Sequence, residues 1–184
     1  MWLDINAYVG HWPFHQVRYN TCRTLLERMN QFGVDISVIA NMNGIFYKNT
    51  QSANEELWQE IRSERRFRDR FIPFAIINPS YAGWRNDLKI CVEKWGMKGV
   101  RVYPKYHDYE VTDPSLTELV QRARDYGIPV AFQLRMVDSR SRSWMDIAYV
   151  NGKASPQKEW TVKSIVPVVK AVPDAKFLIL NVAN

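Results

Sequence analysis

The fold is indicated by residues 113–134, which read DPSLTELVQRARDYGIPVAFQL. Asp113-Pro114 is a good helix N-cap followed by a good first-turn residue. Apolar side chains then recur at helical spacing until Gly127 breaks the pattern, and a short apolar strand follows over Gly127–Leu134. A helix, a break and a buried strand in this order are typical of parallel pairing in an α/β fold.

The same design recurs along the chain after a first strand at Trp2–Val9. The other predicted strands are Phe32–Ala40, Phe71–Ile77, Gly96–Tyr103, Gly127–Leu134 and Lys176–Asn181. The predicted helices are Thr21–Phe32, Ala53–Glu64, Tyr81–Trp95, one that begins at Asp113-Pro114 and one that begins near Ser155-Pro156. The pattern therefore predicts six strands and five helices in one domain over residues 1–184.

The connections that follow strands are long, whereas those that follow helices are short. Segments 10–20, 41–52, 104–112 and 135–154 all come after predicted strands. Long loops in compact domains are usually functional. Because carboxyl ends of parallel strands meet at one edge, we expect a binding site there, as in β/α barrels and open α/β sheets.

Composition limits the class of protein. The 184 residues are 46% hydrophobic and 24% charged, which suits one globular domain with a sizeable core. The net charge is +6, but the densest basic run, Arg62–Arg70, is interrupted by acids and leads into a buried strand. It therefore predicts a solvated helix end rather than a nucleic-acid surface.

Cysteine usage and hydropathy bear on the compartment. Cys22 and Cys91 lie among apolar residues in helical patterns, which predicts two buried free thiols and no disulfide framework. No apolar run approaches the length that a membrane span needs, and no signal peptide is recognised. A cytoplasmic protein is the default expectation.

The first strand and the loop after it, Asp4-Ile5-Asn6-Ala7-Tyr8-Val9-Gly10-His11-Trp12-Pro13-Phe14, resemble the opening of the amidohydrolase superfamily. The similarity is to the amidohydrolase-related branch that includes decarboxylases and lactonases. Further similar segments are Ala53–Leu57, Arg70–Ala75, Ile77-Asn78-Pro79 and Gly99–Pro104. The resemblance implies a TIM-type (β/α)8 barrel, of which this chain holds about six strands and five helices and lacks the last two βα units.

The resemblance also implies where metal ligands would be. The family's histidine positions on strands one, five and six fall on Asn6, Tyr8, Gln133 and Asn181. Zinc prefers His, Cys, Asp and Glu, whereas these four side chains are neutral hydrogen-bonding groups. We therefore expect a degenerate metal site and no cofactor. The alternative is a zinc enzyme with atypical ligands such as His11, His15 and His107.

Charged and aromatic residues near the same strand ends complete the candidate site. Arg101 lies within an apolar strand, where it is either a fork for a substrate anion or a member of a buried ion pair. Tyr103 and Arg135 are further candidates for substrate binding. His107 lies in the loop after the fourth predicted strand, Gly96–Tyr103. It is the candidate for proton transfer, because a free imidazole has a near-neutral pKa.

The resemblance and the residues together predict a metal-independent, lactonase-like hydrolase. Its substrate would be a lactone or related ester of a sugar acid, thus an anionic or carbohydrate-derived small molecule. Arg101 would orient the acid group, and Asn6, Tyr8 and Gln133 would hold ring oxygens or polarise the carbonyl. The alternative is a non-catalytic small-molecule-binding relative. No nucleic-acid or membrane partner is expected, and pairing into a homodimer is left open.

Overall fold

A computed structural model describes residues 1–13, 16–133, 147–150, 153–156 and 162–181. It shows an α/β fold built on parallel strands. In chain order the strands are β1 Leu3–Val9, β2 Ile36–Asn41, β3 Phe71–Pro73, β4 Ala75–Ile76, β5 Val100–Val102, β6 Val130–Gln133, β7 Ile147–Val150, β8 Lys153–Pro156 and β9 Phe177–Leu180. The prediction of an α/β fold with parallel pairing is confirmed.

The strands form two parallel sheets and one hairpin. The first sheet has the order β1-β2-β3, and the second has the order β4-β5-β6-β9. The two sheets meet at Phe74, whose backbone N–H donates to the Ile39 carbonyl at 2.9 Å, while the next residue, Ala75, donates to the Gly99 carbonyl at 2.9 Å. The described residues contain no closed barrel. Strands β7 and β8 pair antiparallel with each other, and in the described residues neither pairs with a strand of the two parallel sheets.

Phe74, at this junction, lies in close contact with Gly99. A Cβ atom added to Gly99 would overlap the Phe74 ring. The predicted strand Phe71–Ile77 is two short strands, β3 and β4, with a break at Phe74. Asn54 supports the second of them, because its side-chain amide donates to the Ile76 carbonyl at 2.9 Å and accepts from the Ile76 N–H at 2.8 Å.

Seven α-helices occur in the described part of the chain. They are α1 Cys22–Phe32, α2 Gln51–Ser63, α3 Arg65–Arg70, α4 Trp84–Lys89, α5 Pro104–His107, α6 Pro114–Asp125 and α7 Val162–Ala171. A 3₁₀ turn over Met42–Ile45 follows β2, and a π turn over Ile90–Lys94 continues α4. None of the helices described has the length and apolar character needed to cross a membrane.

Local sequence signals placed some helix ends correctly and missed others. Thr21 caps α1 in a reciprocal capping box with Thr24, and Asp113 caps α6 by accepting from the Ser115 N–H at 2.8 Å. The predicted start of the fifth helix at Ser155-Pro156 is wrong, because these residues lie in β8 and the helix described there begins at Val162. The segment 104–112, predicted as a loop, contains α5.

The main core lies between the second sheet and its helices. Val100, Val102, Val130 and Phe132 face helix residues such as Leu119 there. Arg101 is paired in register with Ala131, which packs on the other face of the sheet with Val38, Phe74 and Leu180. Because side chains alternate along a strand, Arg101 is turned away from the helices and into this inner face.

The two cysteines are buried in this arrangement and neither forms a disulfide. Burial raises the pKa of both the Cys22 and the Cys91 thiol far above its ordinary value. Both are therefore unreactive thiols at neutral pH. The prediction of buried free cysteines is confirmed.

Candidate functional site

Side chains that are distant in sequence meet at the carboxyl ends of the strands. The Asn6 Nδ2 atom donates to Asn181 Oδ1 at 3.0 Å, and the Tyr8 hydroxyl donates to Gln133 Oε1 at 3.2 Å. Asn6 and Tyr8 are two residues apart on β1 and therefore share one face of that strand. The four positions that the resemblance assigned to metal ligands thus lie together as two hydrogen-bonded pairs.

Tyr103 extends the second pair. Its hydroxyl donates to the Tyr8 hydroxyl at 3.2 Å, so the hydrogen bonds run from Tyr103 through Tyr8 to the Gln133 side-chain carbonyl. Tyr103 is buried, and this burial, followed by the neighbouring Tyr8, raises the pKa of the phenol well above its usual value. The phenol therefore stays protonated at neutral pH and remains a donor.

Arg101 lies beneath the first pair and is completely buried. Its Nη2 atom donates to the Ile5 carbonyl at 3.2 Å and to the Val38 carbonyl at 3.0 Å. Its Nη1 atom donates to Asn6 Oδ1 at 3.4 Å, and its guanidinium carbon lies 4.5 Å from the centre of the Tyr8 ring. We call Asn6, Tyr8, Arg101, Tyr103, Gln133 and Asn181 the strand-end network.

No acid among the described residues neutralises the charge of Arg101. Among the described residues no carboxylate pairs with it, and its Nε atom has no hydrogen-bond partner. Arginine is almost never fully buried unless it is paired. The ion pair that the sequence offered as one alternative is not seen in the described part of the chain. The guanidinium is held instead by carbonyls, an amide and an aromatic ring.

The network has two layers with different access. Arg101, Tyr103 and Gln133 are buried, whereas Asn6 and Tyr8 are half-buried and Asn181 is exposed. A ligand at this edge would touch Asn6, Tyr8 and Asn181 first, and the buried residues would act by orienting them. The Gln133 Nε2 atom, like Arg101 Nε, is a buried N–H donor without a partner among the described residues.

The donor set of the network does not fit a zinc ion. Amide and phenol groups replace the imidazoles that zinc prefers, and they are already engaged with one another. In the residues described, no group of three or more His, Cys, Asp or Glu side chains lies close enough to hold a metal. Of the atypical set, His11 is exposed, His107 is buried in α5 and His15 lies outside the described residues.

His107 differs from the free imidazole assumed from sequence. It is buried, and its Nε2–H donates to the Gly44 carbonyl at 3.0 Å, which leaves Nδ1 as an acceptor with no partner among the described residues. Burial lowers the pKa of His107 to about 4. The imidazole is therefore neutral at pH 7 and is a weaker base than a near-neutral pKa would make it. Its ring lies edge-on to Tyr103, with centroids 6.1 Å apart.

Sequence reasoning missed a second polar cluster at the same edge. Asn41, the last residue of β2, and Asn43 both donate their side-chain amides to Glu56 Oε2 at 3.1 Å. Asn43 Oδ1 also accepts from the His11 N–H at 3.1 Å, which ties the loop after β1 to this cluster. Glu56 belongs to a segment noted for its family resemblance, and that was the only available signal. Arg135, the remaining sequence candidate, lies outside the described residues.

Comparisons with known proteins bear on the fold. Neither a family model nor a curated protein matches the sequence. Among solved structures, a 2,6-dihydroxybenzoate decarboxylase from Rhizobium superposes with a TM-score of 0.66 at 12% identity, over 96% of this chain and 65% of that one. A putative amidohydrolase from Staphylococcus aureus gives 0.64 at 16% identity, over 96% and 66%.

These likenesses show the fold, which this chain shares with a decarboxylase and a putative amidohydrolase. A third similar structure, a 4-oxalomesaconate hydratase from Rhodopseudomonas palustris, gives a TM-score of 0.56 at 19% identity, over 85% of this chain and 47% of that one. An uncharacterised TIM-barrel protein from Bordetella bronchiseptica gives 0.55 at 16% identity. This chain spans about two thirds of the length of the first two structures and half or less of the others.

Proposed function

We propose that this chain is part of a hydrolase that opens a lactone, or a related ester of a sugar acid, without a tightly bound metal ion. The observation that carries the proposal is Arg101, a buried cation with no carboxylate partner among the described residues, placed beneath neutral groups at the strand ends. Its positive potential favours an anionic ligand at this edge of the sheet.

The strand-end network would bind and orient the substrate. Asn6, Tyr8 and Asn181 are the accessible members, and their amide and hydroxyl groups can hold ring oxygens and the carbonyl. As water adds to the carbonyl carbon, negative charge develops on its oxygen, and N–H and O–H donors fixed by the buried layer would stabilise it. The ring C–O bond then breaks, the proton from water passes to the leaving alkoxide oxygen, and a hydroxy acid results.

The group that removes the proton from water has two candidates. His107 is in its base form at neutral pH and keeps Nδ1 as an acceptor. The resemblance also implies an aspartate on an eighth strand outside these residues. We propose accordingly that the complete protein closes the barrel with two further βα units, which is consistent with the share of the similar structures that the chain spans.

A specific observation favours a second candidate, a non-catalytic protein that binds a small anion. The network consists of neutral groups and one arginine, and the imidazole of His107, which lies beside Tyr103, has a pKa of about 4. Such a site can hold a ligand by hydrogen bonds without offering a base matched to neutral pH. In this case binding of sugar acids would persist but no lactone would be hydrolysed.

Metal analysis of the purified protein, combined with hydrolysis assays on sugar-acid lactones with and without chelator, tests these alternatives. Activity that survives chelation with no stoichiometric metal supports the hydrolase. Binding of the sugar acid without hydrolysis supports the binding protein. One zinc per chain together with activity lost on chelation would overturn metal independence and point to the atypical ligand set.

A further inference from the structure

A cavity lies beside β3 and the segment before β5, away from the strand-end network. It has a volume of about 370 Å³, within the range of small-molecule pockets. Its lining comes from α2, α3, β3 and the segment before β5. We call its defining residues, Trp58, Arg62, Arg68, Phe71, Trp95 and Lys98, the basic groove.

Two indole rings form one side of the basic groove. Trp58 and Trp95 are stacked, with ring centroids 5.4 Å apart and planes inclined by 24°. Both side chains are only half-buried, whereas Phe71 beneath them is buried. The accessible parts of the two indoles provide an apolar surface suited to another planar ring.

Three cations surround these rings. The Arg62 guanidinium carbon lies 4.5 Å from the centre of the Trp58 ring. Arg68 Nη1 donates to the Arg62 carbonyl at 2.7 Å, which holds a second guanidinium at the cavity. Lys98 supplies the third charge from the segment before β5. All three side chains are exposed.

Acidic side chains in the described part of the chain do not neutralise the charge of the basic groove. None of the described residues that line the cavity is acidic. The carboxylates of the same segment are engaged elsewhere, because Glu64 pairs with Arg23 and Arg66 and Asp69 pairs with Arg65. Like charges around a cavity repel one another and raise the local positive potential, so an anion that enters is stabilised.

We propose that the basic groove binds a phosphorylated aromatic small molecule of about the size of a mononucleotide. Its planar ring packs on the Trp58–Trp95 pair, and its phosphate is held by Arg62, Arg68 and Lys98. Guanidinium and ammonium groups form strong charge-assisted hydrogen bonds with phosphate oxygens. This site is independent of the proposed hydrolase, since it shares no residue with the strand-end network.

Isothermal titration calorimetry with adenosine 5′-monophosphate, adenosine and inorganic phosphate tests the proposal on the purified protein. We expect the monophosphate to bind, and adenosine and phosphate each to bind at least about tenfold more weakly, because each lacks half of the recognised groups. No detectable binding of the monophosphate, or phosphate binding as tightly as the monophosphate, would overturn the proposal.

Matched charge variants locate the site. Lys98→Gln and Arg62→Gln should each weaken binding of the monophosphate by about tenfold, since each removes one charge-assisted contact. Lys163→Gln, which removes the same charge from an exposed position on α7, should leave it unchanged. Equal weakening by Lys98→Gln and Lys163→Gln would mean a general effect of net charge and would reject the site.

Discussion

At the residue scale, hydrogen bonds join the side chains of the strand-end network in two groups. The direction of these hydrogen bonds follows from donor and acceptor chemistry. The Arg101 guanidinium can only donate, so Asn6 presents its oxygen to Arg101 and its nitrogen to Asn181. Each amide is thereby oriented, and a ligand at this edge meets groups whose directions are already fixed. Such preorganisation lets fixed N–H and O–H donors stabilise negative charge on a bound group.

The bond between Tyr8 and Tyr103 should appear as a coupling in stability. Tyr8→Phe leaves the buried Tyr103 hydroxyl without its partner, and this should lower the free energy of unfolding by about 1–2 kcal/mol. The double variant Tyr8→Phe/Tyr103→Phe should cost about 1 kcal/mol less than the two single changes together. Urea unfolding of the four proteins measures this. Tyr126→Phe, which removes an exposed hydroxyl bonded to Glu93, should be additive with Tyr103→Phe. Additivity of the Tyr8 pair would show that the bond contributes nothing.

The buried imidazole of His107 predicts a pH dependence of stability. Its pKa is lowered from 6.5 to about 4 in the folded protein, so the unfolded chain binds a proton more readily between these values. His107 should therefore contribute nothing to the pH dependence above about pH 6.5, and stability should fall as the pH drops from there to about 4. The loss amounts to about 3 kcal/mol, because one pKa unit corresponds to about 1.4 kcal/mol.

The contribution of His107 can be separated from that of the carboxylates. Unfolding by urea at several pH values should show a shallower decline for His107→Gln than for the unchanged protein. His11→Gln, a change at an exposed histidine, should reproduce the original decline. Identical slopes for the two variants would contradict the prediction.

Sequence could predict which residues belong to the candidate site but not how they are layered. Asn6, Tyr8, Gln133 and Asn181 were placed together because strand ends meet at one edge of a parallel sheet. The position of Arg101 beneath Asn6 depends on how the two sheets are placed, because Arg101 of β5 in the second sheet reaches carbonyls of the first sheet. The pKa of His107 likewise depends on burial, which a single sequence does not specify.

At the scale of single elements, capping residues contribute measurably to helix stability. Asp113 accepts from the Ser115 N–H at 2.8 Å and from the Ser115 hydroxyl at 2.7 Å. Asp113→Ala should lower the free energy of unfolding by about 1 kcal/mol, because the first turn of α6 loses an acceptor. Asp113→Asn keeps an acceptor oxygen and should restore most of the loss. The cap has no such role if both variants unfold at the same urea concentration.

Elements were predicted well where local signals and tertiary structure agree. Thr21 and Asp113 begin helices as expected, since a cap bond is local. Ser155-Pro156 resembles a helix start, yet it lies in a two-stranded hairpin, where proline is tolerated because an edge strand has unpaired N–H positions. The break at Phe74 was missed because it lies where pairing changes from β2 to β5, and the local pattern does not specify such distant partners.

At the scale of the whole molecule, the first sheet has an apolar free edge. In the described residues β1 pairs only with β2, and Trp2, Leu3 and Ile5 are 75%, 47% and 42% exposed. An unprotected apolar edge strand pairs readily with another chain. We therefore expect the 184-residue chain to self-associate reversibly, with an average mass that increases with concentration in sedimentation velocity experiments.

A charge on this edge should suppress the association. Leu3→Lys introduces a cation on the free strand and should shift the chain toward the monomer. Val166→Lys, at another exposed apolar position, should have no such effect. If the unchanged chain sediments as a monomer at every concentration, the edge of β1 is not an interface between copies.

The contact between Phe74 and Gly99 has a consequence for how this sequence can diverge. An aromatic ring occupies the space of the missing side chain, so neither position can change freely while the other is kept. In a set of homologous sequences, positions 74 and 99 should therefore covary: an alanine or larger residue at 99 should be accompanied by a small residue at 74. A larger residue at position 99 would be retained in evolution only after a smaller residue had replaced Phe74.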